Sequence, residues 1–137
     1  TSLLDFANGP VATAVLTFDS PVGRTLIEVT GSEATMRVPD PNQFGGPVLV
    51  RKRGADDWEE LPVKGTEVGR GLGVLDFAQA LRAGRQHRAS GALAMHVCDT
   101  MFAITDSADS GDFVPVTVEA TDPEPLPADW DPHAATL

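Results

Sequence analysis

The sequence predicts an α+β domain, with six or seven mostly antiparallel strands followed by two helices. Three observations lead there. Through residues 1–63, short runs of alternating apolar and polar residues are separated by Gly, Pro, Asn and Asp, the period-2 signature of strands and turns. From Val74 the apolar spacing changes to three and four residues, which is helical. Strands first and helices after is the α+β order, as opposed to the alternation of a parallel α/β sheet. At 137 residues and 42% apolar composition, the chain is long enough for one domain with its own core.

The elements follow in order. Leu3, Leu4 and Phe6, then Asn8-Gly9, then Val11 to Phe18, read as a hairpin whose two turn positions both need positive φ. Asp19 to Gly23 breaks the second strand. Leu26 to Thr30 and Ala34 to Val38 form the next pair, turned by Gly31-Ser32. Residues 39–47 hold three prolines and two adjacent glycines, so they form a loop. Val48 to Arg53 and Trp58 to Val63 form another hairpin through residues 54–57. Lys64 to Arg70 is polar and loop-like. Val74, Phe77, Ala78 and Leu81 mark one helical face, with Gly84 as its C-terminal stop. Ser90 stands as N-cap of a second helix carrying Leu93, Ala94, Val97, Cys98, Met101, Phe102 and Ile104. Val114, Val116 and Val118 alternate with Pro115, Thr117 and Glu119 as a final edge strand. Residues 1–120 form the domain. Residues 121–137, with four prolines and several acids, form an extended or disordered tail.

Composition narrows the function classes. The net charge of −10 argues against a nucleic-acid-binding face. No apolar run reaches the roughly 18 residues of a membrane span. The single Cys98 excludes an internal disulfide framework and a multi-cysteine zinc site. With no signal-peptide pattern, the expected location is the cytoplasm. The charge is uneven: residues 51–100 hold eight of the ten basic residues, and residues 101–137 hold eight acids and no Lys or Arg.

Several local patterns invite chemistry. Gly71-Leu72-Gly73 opens like a dinucleotide fingerprint, but Asp76 occupies the third-glycine position, so it reads as a loop entering a helix. Asp129 and His133 are four apart, yet Pro132 between them favours a solvated tail over an acid/base pair. Gly84-Arg85-Gln86-His87-Arg88-Ala89-Ser90 places two arginines and a histidine just before a helix N-terminus. There they either bind an anion or pair with carboxylates of this acidic chain, and the ion-pair reading carries more weight. Arg70, in Gly69-Arg70-Gly71, has the same two readings. His96 reads as a hydrogen-bonded core histidine, Cys98 as a small buried hydrophobe and Trp58 as packing. The sequence offers no catalytic, cofactor-binding or metal-ligating set.

The ordered series of local words resembles a known family. Phe6-Ala7-Asn8-Gly9, Gly31-Ser32-Glu33-Ala34-Thr35 and Val38-Pro39-Asp40-Pro41-Asn42-Gln43-Phe44-Gly45-Gly46-Pro47 open it. Trp58-Glu59, Arg70-Gly71-Leu72-Gly73, Gly84-Arg85-Gln86-His87-Arg88-Ala89-Ser90-Gly91, Ala94-Met95-His96-Val97 and Pro125-Leu126-Pro127 complete it. In this order and spacing they resemble the C-terminal domain of the glucose–fructose oxidoreductase / inositol dehydrogenase / rhizopine-catabolism family, over residues 1 to 127.

The resemblance implies an open, mostly antiparallel sheet with two helices packed on one face. It implies a parent enzyme that uses NAD or NADP on a sugar or polyol, with a Rossmann domain supplied in cis or in trans. The family's glycine-rich cofactor loop, its Glu-Lys-Pro lysine and its Asp-x-x-x-His pair all fall upstream of the matching stretch. The chain is therefore expected to be the substrate-binding and oligomerisation part, not catalytic by itself. It would self-associate as a dimer through a sheet face across which Leu4, Phe6, Val15, Phe18, Ile27 and Val50 divide between core and interface. Arg70, His87 and Arg88 are the expected substrate-binding residues, because polyol hydroxyls need polar or charged donors. The alternative is a natural stand-alone scaffold or interaction subunit using the same sheet.

Overall fold

The alternating segments fold as strands: β1 (Ser2–Asp5), β2 (Val11–Ala14), β3 (Ile27–Thr30), β4 (Ala34–Val38), β5 (Val48–Lys52) and β6 (Glu59–Leu61). The helical-period segments form α1 (Leu72–Ala83) and α2 (Gly91–Ser110). These come from a computed structural model that describes residues 1–24, 27–63 and 69–133. Leu26 and residues 64–68, expected as strand start and loop, lie outside the described residues, as does the end of the tail at 134–137.

The α+β class and the antiparallel pairing hold. The chain divides into two units, one of Thr1–Gly23 with Gly91–Thr121 and one of Arg24–Ser90 with Asp122–Leu137. The expected single sheet is therefore two. The first unit has the β1–β2 hairpin and α2; the second has the sheet β3-β4-β5-β6 and α1. The two helices thus belong to different units, α2 to the first and α1 to the second.

In the first unit, Leu4 faces Ala12 and Ser2 faces Ala14 on the half-buried side of the hairpin. The turn differs from expectation. Only Gly9 has positive φ, at 106°, while Asn8 does not. The Gly9 N–H donates to Phe6 C=O at 2.8 Å and the Phe6 N–H to Pro10 C=O at 3.1 Å. A five-residue loop with left-handed geometry at one position suffices, and Gly9 provides it. The second strand stops at Ala14, so Val15, Leu16 and Phe18 stay exposed instead of extending the ladder.

Residues 114–118 form no strand. The α2 side chains satisfy their backbone instead. Asp99 Oδ2 accepts the N–H groups of Thr117 at 2.7 Å and Val118 at 2.8 Å. His96 Nδ1 lies 2.6 Å from Val118 C=O, so this ring nitrogen carries the proton. His96 is thus hydrogen-bonded as expected, though half-buried, and Cys98 is half-buried too. The Val118 and Thr117 N–H groups, with lesser help from the Thr117 hydroxyl and from His96, outweigh desolvation and hold the Asp99 carboxyl below its ordinary range.

In the second unit, the register sorts the four strands into two faces. Ile27, Val38, Val48 and Leu61 form one row across all four strands, with Val29, Met36 and Val50 in the row beside it. The opposite face is mixed, with Glu28, Arg37, Arg51 and Glu60 around Leu49 and Trp58. There Arg37 pairs with Glu28 at 3.0 Å, and the guanidinium carbons of Arg37 and Arg51 stand 4.0 and 5.0 Å over the Trp58 ring. Trp58 thus packs under cations, half-buried. At the end of α1, Gly84 adopts φ 63°, and the Arg85 N–H turns back to Ala80 C=O at 3.1 Å.

If Asp99 replaces the missing ladder, Asp99→Ala speeds hydrogen exchange at the Thr117 and Val118 amides and leaves the centre of α2 unchanged. Unaltered exchange at both amides overturns that role.

Candidate functional site

The strongest polar constellation is built around Asp76, on α1. A carboxylate in the apolar run Val74-Leu75-Asp76-Phe77-Ala78 shares its helix face with Ala80, four residues on, and both are buried. An isolated buried carboxylate is costly, so it must be paired and hydrogen-bonded. The reverse turn at Gly84 returns the chain to meet it. Asp76 Oδ1 accepts Arg85 Nη2 at 2.8 Å and also Arg88 Nη1, while Oδ2 accepts the Arg88 backbone N–H at 2.8 Å. The Asp76 side chain is 6% exposed, against 37% for Arg85 and 25% for Arg88.

Burial pushes the Asp76 carboxyl upward. The Arg88 N–H, the two guanidinium hydrogen bonds and the Arg85 charge together outweigh it, so the group sits below its ordinary 3.8.

Arg88 also extends away from the carboxylate. Its Nε donates to Glu124 C=O at 2.7 Å and its Nη2 to Pro125 C=O at 3.2 Å, fixing residues 124–125 of the tail. Further along, Trp130 Nε1 donates to Gln79 Oε1 at 3.3 Å, and the Trp130 N–H to Pro127 C=O at 3.0 Å. The described part of the tail, residues 121–133, lacks regular secondary structure but is tied to α1 and the turn after it at both places. Between them lies an open cleft of about 660 Å³ lined by Gln79, Arg82, Ala83, Arg85, Arg88, Pro127 and Trp130.

The three expected binding residues have different partners. Arg88 lines the cleft. His87 stands edge-on to Phe77, with ring centroids 4.9 Å apart and planes at 81°. Arg70 donates to Asn42 Oδ1 at 3.4 Å and lies 5.6 Å over the Phe44 ring, tying the entry of α1 to the 39–47 loop. Asp129 and His133 share no side-chain bond; the His133 N–H instead donates to Asp131 Oδ1 at 2.8 Å. Among the described residues, no three His, Cys, Asp or Glu side chains gather as a metal site, and no helix is long and apolar enough to cross a membrane.

Sequence reasoning missed Asp76, Gln79, Arg82 and Trp130. The available signal was a single acid inside an apolar helical run, nine and twelve residues before two arginines.

Asp76 also bears on the Gly71-Leu72-Gly73 pattern. The third glycine of a dinucleotide fingerprint lets helix and strand pack closely, and here that position carries a buried side chain held by two arginines. The stretch departs from the fingerprint there. In comparisons with protein-family models, curated proteins and solved structures, the chain matches none.

Asp76→Asn is expected to destabilise the chain by about 2–4 kcal/mol in urea unfolding, since it strips the charge from a buried, fully bonded group. Because the folded pKa lies below the unfolded one, the stabilisation is complete above about pH 4 and is lost as pH falls through the folded value. The acid limb of stability against pH should therefore be shallower in the variant. An equally steep limb would remove Asp76 from this role.

Proposed function

We propose that the chain is the substrate-binding and oligomerisation part of an NAD- or NADP-dependent oxidoreductase acting on a sugar or polyol, with the chemistry carried by a Rossmann domain in cis or in trans. The observation that carries this reading is an apolar band on one sheet face that stays partly exposed among the described residues. The row Ile27-Val38-Val48-Leu61 and its neighbours Val29, Met36 and Val50 make a continuous band on one sheet face. Val29 is 52% exposed and Leu61 40%. Contiguous exposed apolar surface on a sheet marks a contact with another body. A second copy of the chain meets it symmetrically.

The ordered resemblance across residues 1–127 supplies the chemical class. The cofactor belongs to the Rossmann domain in this reading, and no step through it is assigned to this chain. Arg70, His87 and Arg88 remain the proposed contacts to substrate hydroxyls in the intact enzyme.

Two measurements test the reading. An antibody to this chain should detect a native gene product roughly two to three times its 14.4 kDa, the size of a two-domain enzyme. A band at 14.4 kDa overturns it in favour of a stand-alone scaffold or interaction subunit. Light scattering should give a dimer for the chain and a monomer for Val50→Lys, which sets a charge beside Met36 in the band. A wild-type monomer at high concentration removes the interface.

A further inference from the structure

The cleft between α1 and the tail has features that the scaffold role does not use. Arg85 and Arg88 share the single negative charge of Asp76, so the pair keeps a net positive charge. The other partners of both are backbone carbonyls, those of Gln86, Glu124, Pro125 and Asp76, which bring no compensating charge. Arg82 adds a third guanidinium to the wall. A guanidinium has five N–H donors, so Arg85 and Arg88 retain donors beyond these bonds. The same cleft is lined by the flat indole of Trp130, held by Gln79, and by the ring of Pro127. At about 660 Å³ the space is within the range of small-molecule sites.

We propose that this cleft is a binding site for a small organic anion: a carboxylate or phosphate carried on a compact ring, with the anion at Arg82, Arg85 and Arg88 and the ring's C–H face on Trp130. Carboxylate and phosphate both match the planar donors of arginine. The aromatic wall selects a ring-bearing ligand over a bare ion, because stacking adds affinity only when there is a face to stack. The site stands on the geometry of α1 and the tail, and shares Arg88 with the proposed substrate contacts.

The test uses the full 137-residue chain with Trp58→Phe, so that Trp130 is the sole fluorescent tryptophan. The probes are glucuronate, glucose 6-phosphate, neutral glucose and inorganic phosphate. A saturable change in Trp130 emission with glucuronate or glucose 6-phosphate supports the site, and the tighter of the two names the anion. Arg82→Ala, which leaves Asp76 with both of its arginine partners, should weaken that binding at least about tenfold. Trp130→Leu, followed by calorimetry, should weaken it comparably. The proposal is overturned if neither acid sugar saturates, if glucose binds as well as its acid derivatives, or if inorganic phosphate binds as tightly as glucose 6-phosphate. It also fails if acid-sugar binding is unchanged in both variants.

Discussion

The buried carboxylate of Asp76 sets the arrangement of everything around α1. The helix places it on the same face as Ala80, out of water. Left alone there it would not stay ionised, so the chain beyond the helix has to come back. Gly84 makes that return possible by taking a left-handed conformation that a side chain with a Cβ resists. Arg85 and Arg88 then close on the carboxylate from two directions, and the Arg88 backbone follows its own side chain. The guanidinium of Arg88 carries the effect one step further, to the carbonyls of Glu124 and Pro125. Position 76 thus governs the helix end, the following turn and the first anchored part of the tail.

The four-stranded sheet presents the opposite case. Its ladders and cross-strand pairs are complete, yet its apolar face is not. Covering a Val, Ile, Leu or Met side chain contributes about 1.5–3 kcal/mol, and the band holds seven such residues that are half-buried or exposed. That unrealised stabilisation is what makes a second body on this face energetically sensible. The opposite, mostly polar face has less such need, because Trp58 is already covered by Arg37 and Arg51.

What could be read from the sequence follows the same division. Periodicity is a local property, so all six strands and both helices were legible, with ends displaced by a few residues. Contacts made at long range were not. The alternation of Val114, Val116 and Val118 looks like a strand, but a strand also needs a neighbour, and Asp99 takes its amides first. Asn8-Gly9 suggested two positive φ values where the loop length requires one. Asp76 is hidden in the sequence, where it shows only as a broken glycine pattern. Its arginine partners are visible and ion pairing suits them, but which carboxylate they meet depends on the turn at Gly84. Trp130 is not legible as a partner of α1, because 51 residues separate it from Gln79.

The geometry of the cleft follows from the same buried charge. An exposed arginine loses rotamer freedom whenever it captures an anion, and that cost offsets much of the Coulomb gain. Arg85 and Arg88 have already met that cost during folding, because Asp76 and the backbone carbonyls hold their guanidinium groups in place. The Gln79 hydrogen bond does the same for the Trp130 ring. A site whose cations and aromatic wall are positioned in advance spends less of its interaction energy on ordering itself. The buried carboxylate therefore has two consequences from one arrangement: it anchors the tail, and it leaves a pre-set positive charge on a chain whose net charge is −10.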